Sequence, residues 1–461
     1  MVRLNRLPTA AWAFMLLLSI ACPAAHADRI DDYIAAQMRW ENIPGLSLAV
    51  VKDGKIVKAR GYGLANVETN TPATPETVYK IGSVSKQFLA AGVMLLVEQG
   101  KLNLDDRVGK YLDGTPETWN DITIRRLLTH TSGIVREAPD FDPLKMQPDL
   151  EVIKSSYKLP LRFAPGVRWA YSNVNYYCLA EIIHRVTGKP WSQFITENIF
   201  TPAGMSATRT TSNTDIVPHR ASGYTSTQSG LTNAEIWLAL RPSGAFLSSV
   251  LDFAKWDAAL DSRSILSSLS YSQMWSPVLL NDGTTYGYGF GWFLGSFQGH
   301  KRIYHSGGVP GFVCEFDRFV DDRVTVILMA NISNRDLSDI AAGVAGFYVP
   351  ALKPAGEKPL AEGEPQVTER VRAIVTGLTN QTLDPGAFTP DMASQLTAEV
   401  KSGAFRMLRT FGPVVSFPLI GHAQEGDNRI YHYRLAYRDM TLFIDCTLDK
   451  NGKMARFGLH D

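Results

Sequence analysis

The stretch Ser83-Val84-Ser85-Lys86-Gln87-Phe88-Leu89-Ala90-Ala91-Gly92-Val93-Met94-Leu95-Leu96-Val97 joins a serine-x-x-lysine tetrapeptide to an apolar run long enough for a buried helix. A serine hydroxyl is a weak nucleophile and needs a base within hydrogen-bond reach. A lysine three residues further along a helix lies on the same face one turn away, so Lys86 is placed to serve Ser83. Burial against the apolar run lowers an amine's proton affinity, the direction that a base working near neutral pH requires. On the tetrapeptide alone, Ser83 could equally be a helix cap and Lys86 a solvated charge.

A second copy, Ser155-Ser156-Tyr157-Lys158, runs straight into Leu159-Pro160, which ends any helix there, so Ser83 is the better nucleophile. Two further motifs follow. Tyr171-Ser172-Asn173 stands where Pro165-Gly166-Val167-Arg168-Trp169-Ala170 leads into a helical stretch over 176–186. At a helix mouth a phenol beside a lysine can be held as phenolate and shuttle protons, and an asparagine amide can hold both the lysine and a substrate carbonyl. The plain alternative for Tyr171 is one more buried aromatic beside Tyr176 and Tyr177. His305-Ser306-Gly307-Gly308, after Lys301-Arg302-Ile303-Tyr304, reads as a strand edge whose glycines let a substrate backbone approach. The backbone N–H of Gly308 with that of Ser83 could form an oxyanion hole, while His305 by itself could be a structural histidine. Lys401-Ser402-Gly403 is a lysine version of the same tripeptide, set aside because it falls in a helical stretch beyond a linker.

Taken together the motifs resemble the serine β-lactamase and penicillin-binding-protein superfamily, in its class C β-lactamase-like branch, which also holds D,D-peptidases, D-aminopeptidases and esterases. Leu127-Leu128-Thr129-His130-Thr131-Ser132-Gly133, Pro165-Gly166, Pro202-Ala203-Gly204-Met205, Pro242-Ser243-Gly244 and Tyr286-Gly287-Tyr288-Gly289-Phe290-Gly291-Trp292 fit as well, so the resemblance covers roughly residues 30 to 350. It implies an α+β fold: a β-lactamase-like antiparallel sheet flanked by helices, with a helical subdomain. It also implies roles. Ser83 is acylated, Lys86 and Tyr171 share the general-base and general-acid work, and Asn173 orients Lys86 and substrate. His305, Ser306 and Gly307 line the cleft, and Ser83 with Gly308 supplies the oxyanion N–H pair. Class C β-lactamases carry lysine where this chain has His305, and a mostly neutral imidazole facing the substrate carboxylate implies weak β-lactam hydrolysis. The implied activity is hydrolysis of an ester or an amide or peptide bond, in a D-amino-acid peptide, a short ester or a β-lactam. Peptidoglycan fragments are among the implied partners. The same scaffold could instead sense penicillin or bind peptidoglycan, acylating without efficient turnover. His130 in the signature is implied to be structural, in a turn that satisfies its own hydrogen bonds.

Composition agrees with this class. The 461 residues, 45% of them hydrophobic, suffice for one large domain and a small one. A net charge of +1, with no basic patch interleaved with aromatics, argues against nucleic-acid binding. Residues 1–27 read as a signal peptide: Arg3 and Arg6 precede an apolar run over 10–21, too short to span a bilayer, and Ala25-His26-Ala27 offers a cleavage site. The mature chain is then periplasmic or secreted. A lipoprotein site at Cys22 competes, with Ser19 a poor residue three places before it. Cys178, Cys314 and Cys446 remain, an odd number in separate segments, so they read as buried small hydrophobes and not as a disulfide framework. Isolated cysteines and the lack of a paired-histidine helix motif predict no metal, and a serine–lysine–tyrosine site needs no cofactor. A glycine-x-serine-x-glycine elbow is missing, which argues against an ordinary α/β-hydrolase.

Along the chain, 28–40 reads as an amphipathic helix, and 46–51 with 56–60 as a hairpin turned at Asp53-Gly54. The helical subdomain is expected over 102–225. Strand character returns at 290–294, 303, 313–319 and 324–330, and these strands are expected to share one sheet with the first hairpin, placing Ser83 between sheet and subdomain. The hydrolase domain is thus 28–349. Residues 350–365, with Pro354, Gly356, Pro359 and Gly363, read as a linker. Residues 366–461 read as a small α+β domain, vaguely like the nuclear-transport-factor-2 (NTF2-like) domains. Helices are expected at 367–378 and 392–408, strands at 414–420, 429–437, 441–447 and 454–460, and a hairpin turn at Asn451-Gly452. Packing over the cleft, dimerisation and cell-wall binding are the roles open to it.

Overall fold

A computed structural model describes residues 29–211, 214–227, 230–237, 241–353 and 358–460; the expected signal peptide lies outside the described residues. Helix α1 (Arg29–Trp40) precedes strands β1 (Gly45–Lys52) and β2 (Lys55–Asn66). Asp53 and Gly54 between them both take positive φ, 50° and 75°, as a two-residue type I′ hairpin demands. Four more strands come late in the chain: β3 (Phe293–Phe297), β4 (His300–Val309), β5 (Phe312–Phe319) and β6 (Val324–Ala330). The sheet is antiparallel in the order β3-β4-β5-β6-β1-β2, with the short strand Thr71–Pro72 outermost beside β2. Pairing of β1 with β6, from Leu46 opposite Ala330 to Lys52 opposite Val324, brings the two ends of the domain together. The strand expected at 290–294 begins at Phe293 because Gly291, at φ 78°, turns the backbone first.

Both faces of the central strands are buried. Leu46, Leu48 and Val50 of β1 join the core on the α1 side, while Ala49 and Val51 join the core of α2 (Lys86–Glu98). Phe88, Leu89, Ala90, Ala91 and Val93 of α2 are all fully enclosed, so this helix is apolar all round and not amphipathic. The subdomain on its far side is built on α3 (Val174–Thr187), with α4 (Val250–Ser262) closing the same core and α5 (Ser338–Tyr348) packing beside α1 on the opposite face.

The C-terminal residues form α6 (Pro365–Thr379), α7 (Pro390–Ser402) and an antiparallel meander of β7 (Leu419–Glu425), β8 (Asn428–Ala436), β9 (Thr441–Leu448) and β10 (Met454–His460). Their own core includes Val371, Leu378, Tyr433, Leu442 and Ile444. Helix α7 stops short of 408 because Gly403 caps it at φ 83°, and β7 starts only after Pro418, which lacks an N–H to pair. Near Asn451-Gly452 only Gly452 has positive φ. The connection is a longer loop, closed by the Asp449 N–H to the Lys453 carbonyl and the Gly452 N–H to the Asp449 carbonyl, each 2.9 Å, and not a two-residue turn.

This domain seats on α1 and not over the cleft. Ala36 of α1 belongs to its core and the half-buried Trp40 packs against it, Gln37 Nε2 donates to Met440 Sδ at 3.3 Å, and Arg438 pairs with Asp32 at 2.5 Å. Packing over the cleft is therefore not its role within this chain, because α1 lies on the sheet face opposite α2. At the front of the expected linker, Leu352 is fully buried in the core of α1 and α5.

Candidate active site

Ser83 lies in a single 3-10 turn (Gly82–Ser85) that feeds directly into α2, and Lys86 is the first residue of the helix. Lys86 Nζ is 3.0 Å from Ser83 Oγ. It also donates to Asn173 Oδ1 at 2.9 Å and to the Ser243 carbonyl at 2.8 Å. Both of these partners only accept. A neutral amine has two N–H bonds and one lone pair, so with both N–H groups engaged the lone pair is left for the Ser83 hydroxyl. The amine is fully buried. Burial holds its proton affinity well below the ordinary lysine value, Arg241 and Arg136 push in the same direction, and Glu137 opposes them.

Tyr171-Ser172-Asn173 enters α3 at its N-terminus and is fastened to the Leu127–Gly133 signature and the residues after it. The Asn173 N–H donates to the Arg136 carbonyl at 2.8 Å, Ser172 Oγ to the Val135 carbonyl at 2.7 Å, and the Ser172 N–H to His130 Nδ1 at 3.2 Å. The His130 ring packs on Tyr171 with centroids 4.3 Å apart. His130 is thus structural, as the resemblance implies, but its bonds reach across 42 residues and do not close within its own turn. Burial, the largest influence on it, keeps it neutral. The Tyr171 phenol is raised above its ordinary value by burial, against the hydrogen bond to Ser83 and the charge of Arg136. At neutral pH it is a phenol and not a phenolate.

His305-Ser306-Gly307-Gly308 occupies the end of β4 that runs past its neighbour: pairing with β3 stops at Tyr304, leaving this edge free, while β5 pairs on the other side. Alternation along the strand turns His305 and Gly307 inward and leaves Ser306 and Gly308 exposed. His305 is 1% exposed, its imidazole enclosed by the rings of Tyr171, Tyr288 and Phe293. Its Nδ1 donates to the Ser306 carbonyl at 2.6 Å, so Nε2 is the acceptor for the Tyr288 hydroxyl at 3.3 Å. Burial and then Lys86 pull its pKa down to about 3, against the Ser306 hydrogen bond.

The glycines serve a different approach from the one expected. A Cβ on Gly307 would stand 2.0 Å from the Ile81 carbonyl and 3.1 Å from the Ser83 nitrogen, and one on Gly82, at φ 53°, would stand 2.7 Å from the Gly308 nitrogen. The missing side chains let the strand lie against the nucleophile's own turn, which sets the Ser83 and Gly308 amides side by side. A Cβ on Gly308 meets nothing, so its face toward the cleft is open.

The other copies of these motifs are elsewhere. Ser155 Oγ is spent on the Val152 carbonyl at 2.8 Å, Lys158 is exposed, and Lys401-Ser402-Gly403 ends α7. Cys178, Cys314 and Cys446 are buried free thiols. Sequence reasoning missed three participants. Glu137 accepts from Asn173 Nδ2 at 2.5 Å, Arg241 pairs with Glu137 at 2.6 Å, and Ser243 lends its carbonyl to Lys86. Only the Pro242-Ser243-Gly244 match hinted at the last.

A family model described as Beta-lactamase matches residues 30–346, and the chain belongs to this family of serine hydrolases. Penicillin-binding protein 4* of Bacillus subtilis (strain 168) is 32% identical over 310 residues, 62% of this chain and 67% of that protein. The D-aminopeptidase of Brucella anthropi is 30% identical over 323 residues, 66% of this chain and only 61% of its own length. The octameric penicillin-binding protein homologue from Pyrococcus abyssi superimposes with a TM-score of 0.65 at 25% identity, over 94% of this chain and 95% of that one, so the likeness spans both domains. D-amino acid amidase from Ochrobactrum anthropi SV3, complexed with D-phenylalanine, shares the fold at a TM-score of 0.60 and 24% identity, over 70% of this chain and 95% of its own.

Proposed function

We propose that this chain is an exported hydrolase that cleaves an amide, peptide or ester bond through a Ser83 acyl-enzyme, with D-amino-acid amides or peptides as the preferred class. The observation that carries the reading is the bonding of Lys86: a buried Nζ lies 2.9 Å from Asn173 Oδ1, 2.8 Å from the Ser243 carbonyl and 3.0 Å from Ser83 Oγ, so that a neutral amine with its two N–H groups on the carbonyl oxygens turns its lone pair to Ser83. As Ser83 Oγ bonds to the substrate carbonyl carbon, its proton passes to Lys86. The oxyanion forms against the Ser83 and Gly308 amides. Tyr171, a phenol, protonates the leaving group as the scissile bond breaks, and recovers a proton from Lys86. Water then attacks the ester, with the same groups acting in reverse, and releases the acid.

The D-amino-acid preference draws on the D-aminopeptidase relative, and export on the Ala25-His26-Ala27 site. A second reading, acylation by penicillin without turnover, is favoured by the relatives named penicillin-binding proteins. Steady-state assays of D-alanine amide, D-alanyl-D-alanine peptides, p-nitrophenyl acetate and nitrocefin in parallel separate the two. Sustained release of product from the D-amide supports the hydrolase. One equivalent of product followed by arrest, with every substrate, would contradict it.

A further inference from the structure

The hydrogen bonds that begin at Lys86 continue past Asn173 to the rim of the cleft. Asn173 Nδ2 donates to Glu137 Oε1 at 2.5 Å, and Glu137 Oε2 accepts from Arg241 Nη2 at 2.6 Å. The Arg241 guanidinium is itself held between rings, 4.4 Å from the centroid of Phe141 and 5.0 Å from that of Trp237. An asparagine amide can sit in two orientations related by a flip, and only one offers Lys86 an oxygen. A carboxylate accepts and never donates, so Glu137 admits only the orientation with Nδ2 outward and Oδ1 toward the amine.

We propose that Glu137 is a positioning residue for the reaction: by fixing the Asn173 amide it turns the Lys86 lone pair onto Ser83, without itself touching Lys86, Ser83 or substrate. The inference rests on the Ser83 acyl-enzyme reading. Were the amide flipped, Lys86 would lose an acceptor, one N–H would swing toward Ser83, and the lone pair would point at the Asn173 amide. Among the described residues, Glu137 also carries the nearby negative charge that favours protonation of Lys86. The other groups facing the amine are Arg241 and Arg136, which oppose its protonation, and the neutral His130, His305, Tyr171 and Tyr176.

Glu137→Gln keeps an oxygen for Asn173 Nδ2 and removes the charge; Glu137→Ala removes both. With p-nitrophenyl acetate and pH-resolved kinetics, Glu137→Ala is expected to lose about ten- to a hundredfold in kcat, the scale of a misplaced catalytic group, and Glu137→Gln to recover most of that loss. The acid limb of kcat/KM should move to lower pH by a similar amount in both variants, because both remove the same charge. A merely structural role in the rim predicts no such movement. Equal losses in the two variants, or an unmoved acid limb, would overturn the proposal. Ser83→Ala in the same assay keeps the two claims apart: turnover that survives it overturns the acyl-enzyme reading and this inference with it, whereas turnover abolished by it, with no rescue by Gln, overturns this inference alone.

Discussion

Ser83 with Lys86 and Ser155 with Lys158 share one spacing, and both pairs lie where a 3-10 turn meets an α-helix, but in opposite order. The first serine sits in the turn and its lysine opens a helix with no exposed face, so the amine is stripped of water and handed to three partners. The second serine ends its helix, bonds back to its own turn, and leaves its lysine in solvent before Pro160. What separates a nucleophile from a helix end is therefore the surroundings of the lysine. Desolvation changes its protonation state, and two fixed acceptors aim what remains.

The largest effect should come from exchanging the serines. Ser83→Ala is expected to lower turnover by roughly 10⁴-fold or more, while Ser155→Ala stays within about twofold, measured with one ester under one condition. Full activity in Ser83→Ala would reverse the comparison. Next come the lysines: Lys86→Ala should lose nearly as much, since nucleophile and base act as a unit, and Lys158→Ala almost nothing. Activity of the natural protein should persist at neutral pH and fall on acidification, as Lys86 takes up a proton and ceases to be a base. The raised Tyr171 phenol places the alkaline limb above pH 10, its ordinary value. A profile that instead rises only near the ordinary lysine value would mean that Lys86 is charged.

Tyr171→Phe is expected to cost about 10²- to 10³-fold in kcat, the range of a lost proton donor, with the unfolding temperature nearly unchanged. His305→Lys should change turnover less than Tyr171→Phe does. It places an ammonium in a dry pocket near Lys86, so a fall in unfolding temperature is expected, with no gain in nitrocefin hydrolysis. A tenfold gain with stability preserved would show that the side chain reaches the cleft after all.

Local chemistry made much of this legible. Asp53-Gly54 specifies its hairpin, Pro160 disqualifies Ser155, and the unbroken run after Lys86 announces a buried helix. The rest depended on distances the sequence does not encode. Whether His305 or Ser306 faces the cleft is a matter of strand phase relative to a sheet whose neighbours lie far along the chain. Gly307 and Gly82 look like substrate clearance until the strand is seen resting on the nucleophile's turn. Glu137 and Arg241 are ordinary surface residues in isolation, and acquire meaning only because Asn173, 36 residues after Glu137, lands between that carboxylate and Lys86. The C-terminal domain shows the same division. Its strand order was legible, but its seat on α1 was not, because Ala36 and Trp40 read equally well as part of the first domain's core.

If a neutral Lys86 activates Ser83 for covalent acylation, the acyl group must be found on Ser83, and only while Lys86 is present. The protein is pulsed with p-nitrophenyl acetate, quenched in acid and digested, and the modified peptide is sequenced by mass spectrometry beside the Lys86→Ala variant. A single adduct, on Ser83, is expected in the natural protein and none in the variant. An adduct on Ser155, or equal labelling of Ser83 with Lys86 removed, would contradict activation of Ser83 by a neutral Lys86.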